Sequence, residues 1–144
     1  MTNLQIAYLA GIIDGEGSIG LYSKRPSDKD RHYVTLQLSV VNTSKPLMKW
    51  LSANVPVGNV GRKAGPKTNH KEIFHWTASS SKAVEVLRLV LPYLVVKKAQ
   101  AEVVIELWDF EQQNGVRPGI KPSEEVQSAR RIAATKVKEL KLVS

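Results

Sequence analysis

Apolar residues recur along this chain in two periods, and the switches between periods mark out its elements. Thr2 and Gln5 have capping-box spacing, which predicts a first helix from about residue 3 to about Asp14. Beyond Gly17 the period falls to two. Ile19, Leu21 and Ser23 alternate with Ser18, Gly20, Tyr22 and Lys24, the pattern of a strand with one more apolar face. Arg25 to Arg31, with Pro26 inside, reads as a connection. The clearest strand follows, with Val34, Leu36, Leu38 and Val40 facing one way and Tyr33, Thr35, Gln37 and Ser39 the other. Asn42-Thr43-Ser44 then supplies caps for a helix that has Pro46 in its first turn and Leu47, Met48, Trp50 and Leu51 as apolar positions. Two more strands are expected around Val57 to Lys63 and Lys71 to Thr77, flanking a Gly65-Pro66 turn. In the second, Phe74 and Trp76 alternate with Ile73 and His75. Ser79-Ser80-Ser81 caps a helix with Val84, Leu87 and Leu91 inward. Pro92 breaks or kinks it, and helix resumes from about Tyr93 to Gln113. A Pro/Gly linker covers Val116 to Pro122. Ser123, Glu124 and Glu125 then open a last helix, with Val126, Ala133, Val137 and Leu140 at helical spacing.

The order is α-β-β-α-β-β-α with an added C-terminal helix at about 122–142: an α+β fold, expected as one domain over 1–144 with its core at about 3–113. Four antiparallel strands carrying helices on one side form a curved sheet whose second face is uncovered. The alternation assigns to that face Ser18, Gly20, Tyr22, Lys24, Tyr33, Thr35, Gln37, Ser39, Lys63, Lys71, Ile73 and His75. It is rich in hydrogen-bonding groups, weakly cationic, and has little to bury.

One stretch departs from ordinary patterning. In Leu9-Ala10-Gly11-Ile12-Ile13-Asp14-Gly15-Glu16-Gly17 an apolar helix ends in acid-glycine-acid-glycine. Gly11 and Gly15 lie four apart and share a helix face, so a second helix can approach closely along Gly11, Ile12 and Gly15. Acids at a helix C-terminus oppose the macrodipole. Carboxylates held there between glycines point to a positive partner, a divalent cation first of all. A glycine cap on a core helix explains Gly15 or Gly17 but not two interleaved acids. Gly15-Glu16-Gly17-Ser18-Ile19-Gly20 also spells GxGxxG, but a dinucleotide site needs a strand before the glycines and a helix after them. Here that order is reversed.

These nine residues resemble the signature of the LAGLIDADG homing endonucleases, with Ile12, Gly15 and Glu16 as the departures from it. The resemblance extends in topology from Leu4 to about Gln113 and is silent on the C-terminal helix. It implies a site-specific nuclease that lays its sheets in the DNA major groove and hydrolyses both strands, leaving short 3′ overhangs. It further implies that Glu16 binds Mg²⁺ (with Mn²⁺ or Ca²⁺ able to substitute in binding), helped by the carbonyl of Gly15, while Asp14 has a supporting role. Asn42 matches the position that orients water, and Lys97 the lysine that stabilises charge on the phosphate. Asn42 could equally cap a helix, and Lys97 could be a solvated helix lysine with Lys98 as the adjacent candidate.

A double-strand break has two scissile phosphates, yet no second motif occurs before Ser144. A C2 homodimer joined through Gly11, Ile12 and Gly15 answers this with an isologous interface and a near-palindromic target of roughly two helical turns. Charge agrees. Lys and Arg outnumber Asp and Glu by 21 to 13, giving +8, so that a dimer would carry 8 + 8 = +16. That excess calls for a polyanionic partner, and Arg62, Arg130, Arg131, Lys136 and Lys138 join the candidate phosphate contacts. Cysteine is absent, which excludes disulfides and Cys-based zinc sites. No apolar run suggests a membrane span. His32, His70 and His75 are too scattered for an HNH-type nuclease, and no Ser/His/Asp grouping occurs. Nothing before the motif resembles a targeting segment, so the expected setting is intracellular, in an organelle or a prokaryotic cytoplasm. Two other functions stay open. One is an RNA maturase acting on its own intron RNA; the other is a DNA-binding regulator, which would usually lack the metal acid and add a helix-turn-helix.

Overall fold

The structure, a computed structural model, describes residues 1–23, 34–63 and 71–144. Helix α1, Asn3–Glu16, starts as its capping box dictates: Gln5 N–H donates to the Thr2 hydroxyl oxygen at 3.1 Å, and Thr2 N–H donates to Gln5 Oε1 at 2.9 Å. It runs two residues further than the pattern suggested, so Glu16 is its last residue. Strands β1 (Gly17–Ser23) and β2 (Val34–Asn42) follow, then α2 (Lys45–Asn54), β3 (Asn59–Lys63) and β4 (Ile73–Ser79). The strands form one antiparallel sheet in the order β1-β2-β4-β3. The expected Arg25 to Arg31 connection and Gly65-Pro66 turn lie outside the described residues.

The period-two pattern is realised in the burial. Ile19, Leu36, Leu38, Val40, Trp76 and Ala78 turn inward against Leu9, Ile13, Leu51 and Leu87. The helices cover this side alone. Among the described residues no helix is long and apolar enough to cross a membrane.

Several boundaries differ from the pattern for identifiable reasons. Lys71 precedes β4 and is exposed, so it does not stand on the sheet face assigned to it. Helix α3, Ser81–Val90, begins without a side-chain cap; Ser80 occupies φ +55° and is held through its N–H to the carbonyl of Leu36 at 2.9 Å. Pro92 ends that helix in a short 3-10 turn, Leu91–Tyr93. The next helix, α4, does not resume at Tyr93 but at Lys98, and runs to Gln113. A stretch that propensity would make helical is pulled out of the helix by an acid from α1, described below.

Helix α5, Glu124–Val143, opens on Ser123, whose hydroxyl accepts from Val126 N–H. It packs along α4 and against β1. Arg130, expected as a phosphate contact, instead points inward. Its Nε donates to Glu111 Oε1 at 2.5 Å, and the two side chains are 6% and 11% exposed. Four residues after Val126 and three before Ala133, it occupies the core stripe they form with Val137. Glu111→Ala should therefore destabilise the fold by about 3–5 kcal/mol, because it leaves a buried guanidinium without its carboxylate. Replacing both partners with Glu111→Leu and Arg130→Met should recover most of that loss, read from urea unfolding midpoints.

Candidate active site

The chain turns from helix to strand without a loop at the motif. Gly17 N–H donates to the carbonyl of Ile13, and a Cβ at Gly17 would lie 2.6 Å from that same oxygen. Glycine is therefore a steric requirement there, and it sets Glu16 at the abrupt end of α1. The Glu16 side chain is exposed and makes no hydrogen bond or ion pair among the described residues. An unpaired carboxylate at the negative end of a helix raises the local negative potential further.

Asp14 has the opposite character. Its Oδ2 accepts from Val95 N–H at 2.8 Å and its Oδ1 from Lys97 N–H at 2.9 Å. In return, Lys97 Nζ donates to the main-chain carbonyl of Asp14 at 2.6 Å. This reciprocal clasp satisfies one of the orphan carbonyls at the end of α1 and sets the Lys97 ammonium there, two residues from Glu16 in sequence. An ammonium has three donors, so two are left for an incoming anion. Asn42 ends β2. The register opposes Gly17 to Val40, so Asn42 projects past the end of β1 on the side of Gly15 and Glu16. Its Oδ1 accepts from Ser44 N–H at 2.8 Å, an Asx turn into α2, whose cap is Ser44 rather than Asn42. The carboxamide nitrogen keeps its donors. Glu16, Asn42 and Lys97 are thus gathered at one end of the sheet; Lys98, in the first turn of α4, takes no part in the clasp.

Registers place the uncovered face in rows. Ser18 lies opposite Ser39, which lies opposite Thr77, which lies opposite Asn59. Tyr22 pairs with Thr35, and Lys63 with Ile73; Gln37 pairs with Gly20 and with Ser79. Gly20 itself offers nothing to a ligand, because the Tyr22 ring covers it: a Cβ there would meet that ring at 2.4 Å. His75 covers Gly61 in the same way. Lys24 and Tyr33 lie outside the described residues. Asn59, Thr77 and Ser79 were missed. Continuing the alternation two more steps beyond His75 would have found the last two.

The exposed side of α1 carries Leu4, 84% exposed, and Tyr8, 55% exposed, in line with Gly11 and Gly15. A Cβ at either glycine would meet nothing within 4 Å. Ile12, expected on this strip, is instead in the chain's own core, since it falls one position off the line.

Solved structures sharing this arrangement are numerous. The homing endonuclease I-CvuI in complex with its target is 23% identical with a TM-score of 0.70, covering 96% of this chain and 82% of that one. The same nuclease on another target, in the presence of Mg with the DNA not cleaved, gives 24% identity and a TM-score of 0.74 over 95% of this chain and 82% of that one. The archaeal intron-encoded homing endonuclease I-Vdi141I in complex with DNA gives 14% and 0.60 over 97% and 98%. The LAGLIDADG homing endonuclease I-LtrWI bound to target DNA gives 20% and 0.70; there the match covers 94% of this chain but 45% of that one. The chain has the LAGLIDADG homing-endonuclease fold. No family model and no curated protein matches its sequence.

Within the LAGLIDADG fold the two motif acids are sharply divided, and the division is measurable. Asp14→Ala removes two charge-assisted hydrogen bonds to main-chain N–H groups and should lower stability by roughly 2–3 kcal/mol. Glu16→Gln should leave the urea midpoint within about 0.5 kcal/mol of the parent. Equal losses in the two variants would contradict this division.

Proposed function

We propose that this chain is a site-specific DNA endonuclease that cuts both strands of a long, near-palindromic duplex as a homodimer, with a divalent metal at each motif end. The observation that carries the reading is the pairing of roles at the end of α1. Glu16 is exposed and unpartnered, and the Lys97 ammonium is fixed beside it by Asp14. An assisting role in RNA splicing has no use for a carboxylate kept free in this way, which favours cleavage over the maturase reading.

Among the described residues no cluster of three acids or histidines could hold a metal by itself. The site nevertheless fits a hard cation that shares its shell with phosphate oxygens and water: it offers the Glu16 carboxylate and the main-chain carbonyl of Gly15, both oxygen donors. Mg²⁺ bound there would supply a Lewis acid and an acidified water. Lys97, with two donors to spare, holds the non-bridging oxygens of the phosphate and offsets the charge that accumulates on them. Asn42 donates through its carboxamide nitrogen to a water or phosphate oxygen, its oxygen being spent on the turn. The sheet presents Tyr22, Thr35, Gln37, Ser39, His75 and Thr77, groups that reach base edges in a major groove wide enough for a β-ribbon.

One chain brings one such end. The strip of Leu4, Tyr8, Gly11 and Gly15 supplies the second by packing on its own copy, with the glycines letting the two helix backbones close up. This has a clear signature. Gly11→Leu meets open space in a single chain and should leave the monomer folded, yet sedimentation at micromolar concentration should shift from dimer to monomer and double-strand cleavage should be lost. A parent protein that sediments as a monomer would overturn the dimer.

For the chemistry, a plasmid library with randomised sites selects the cleaved sequence in Mg²⁺. Glu16→Gln should then cut at least a thousandfold more slowly while binding the selected duplex within about threefold of the parent. Chelation should abolish cutting, and Ca²⁺ should support binding. Undiminished cutting by Glu16→Gln would remove the metal assignment.

A further inference from the structure

The C-terminal helix has a use that the reading above does not give it. Along α5, Gln127, Arg131, Ala134, Lys138 and Lys141 recur at alternating spacings of four and three, so they line one side of the helix. Each follows by one position a residue of the buried stripe or its continuation, which turns this side about 100° from the core. It holds three cations and no acid. Arg131, Lys138 and Lys141 are exposed and make no ion pair among the described residues.

Lys141 fixes where this side faces. Its Nζ donates to the hydroxyl of Ser18 at 3.5 Å. Ser18 lies next to buried Ile19 and opposite Ser39, so its hydroxyl is on the uncovered face of the sheet. The ammonium of Lys141 therefore stands at the rim of that face, along edge strand β1 and two residues past Glu16. The helix is held in this place at both ends: Arg130 binds Glu111 near the end of α4, and Gln100 Nε2 donates to the Ser144 hydroxyl at 3.3 Å near its start. From Arg131 to Lys141 the axis rises about 15 Å, a span of roughly four nucleotides along one strand.

We infer that Arg131, Lys138 and Lys141 form a rail for the phosphates of the same duplex whose bases the sheet reads, flanking the groove at the β1 edge. The inference rests on the DNA reading and adds the footprint of α5 to it. The rail gives affinity without sequence information, since its groups meet backbone rather than base edges. Lys136, one of the phosphate contacts expected from charge alone, lies about 140° round the helix from Arg131, beside Glu106, Phe110 and Ile132 on the side of α4, and has no part in it.

The test uses the full chain and a mixed-sequence duplex of about sixty base pairs, titrated at several salt concentrations. The triple variant Arg131→Ala, Lys138→Ala, Lys141→Ala should bind at least about tenfold more weakly at 0.15 M salt, and its plot of log affinity against log salt should be shallower by roughly 2–3. Lys136→Ala should follow the parent. A triple variant with the parent's slope, while the parent binds with a steep one, would overturn the rail and leave the endonuclease reading standing. A parent with no salt-dependent affinity for duplex DNA would bring down the endonuclease reading, and the rail with it.

Discussion

The exchange of hydrogen bonds between Asp14 and Lys97 is the constraint from which the site's geometry follows. It is reciprocal: the carboxylate of α1 takes two main-chain N–H groups from the segment before α4, and that segment's lysine takes a main-chain carbonyl of α1. Each element thereby ends the other. The helix α1 gains a cation at its negative terminus, where a cation is stabilising. The chain from Leu94 to Lys97 is kept from joining α4, although its residues would allow a helix. The result is a lysine whose position does not depend on a long side chain finding its own place. A donor preorganised in this way can meet an anion with little reordering.

The sheet is organised on a different principle. Its inner face is a close-packed set of Ile, Leu, Val and Trp76, while its outer face is built mostly from side chains with hydroxyl, amide and imidazole groups, with Val41 and Ile73 as apolar exceptions. Tyr22 and His75 each lie across a glycine on the neighbouring or adjacent position, so the two bulky rings are flattened onto the sheet instead of standing up from it. Rings standing upright would instead screen the short Ser and Thr side chains of this face from any partner. Gly20 and Gly61 are thus part of the outer surface by virtue of what they omit.

How far this was legible in the sequence depended on the range of the interaction. The capping box at Thr2, the alternation through β2, the Ser44-Pro46 helix start and the Ser123 cap are local signals, and each is realised where the pattern placed it. The antiparallel sheet with helices on one side followed from the element order. What failed was long-range. Nothing near Tyr93 announces that an acid far earlier in the chain will unravel the expected helix start. The spacing of α5 puts Arg130 in the phase of Val126 and Ala133, but its charge argued against burial because the partner Glu111 is in another helix. At the motif the oddity is local, and the structure leaves Glu16 exposed and the positions of Gly11 and Gly15 open, while Ile12 goes to the core. Asn42 was left between two roles; its oxygen makes the turn into α2, whose cap is Ser44, and its nitrogen makes no hydrogen bond among the described residues. On α5, Arg131 and Lys138 stood out by charge alone, but not the neighbour they face, since charge spacing on one helix does not say which element lies beneath it.

The motif's two acids show why a site of this kind resists being optimised for stability. A carboxylate at a helix C-terminus is unfavourable by a few tenths of a kcal/mol to about 1 kcal/mol. Asp14 escapes this penalty by spending its charge on two N–H groups. Glu16, two residues further and exposed, does not, and it has no partner among the described residues. The ammonium of Lys97 is close enough to moderate the helix end but is committed to a carbonyl rather than to the Glu16 carboxylate. Had it formed an ion pair with Glu16, the monomer would have been more stable and the site neutral, with no residual attraction for a cation. The unpaired state of Glu16 among the described residues is therefore informative in a way that its mere presence in a motif is not: no cation of those residues relieves the acid where it is held.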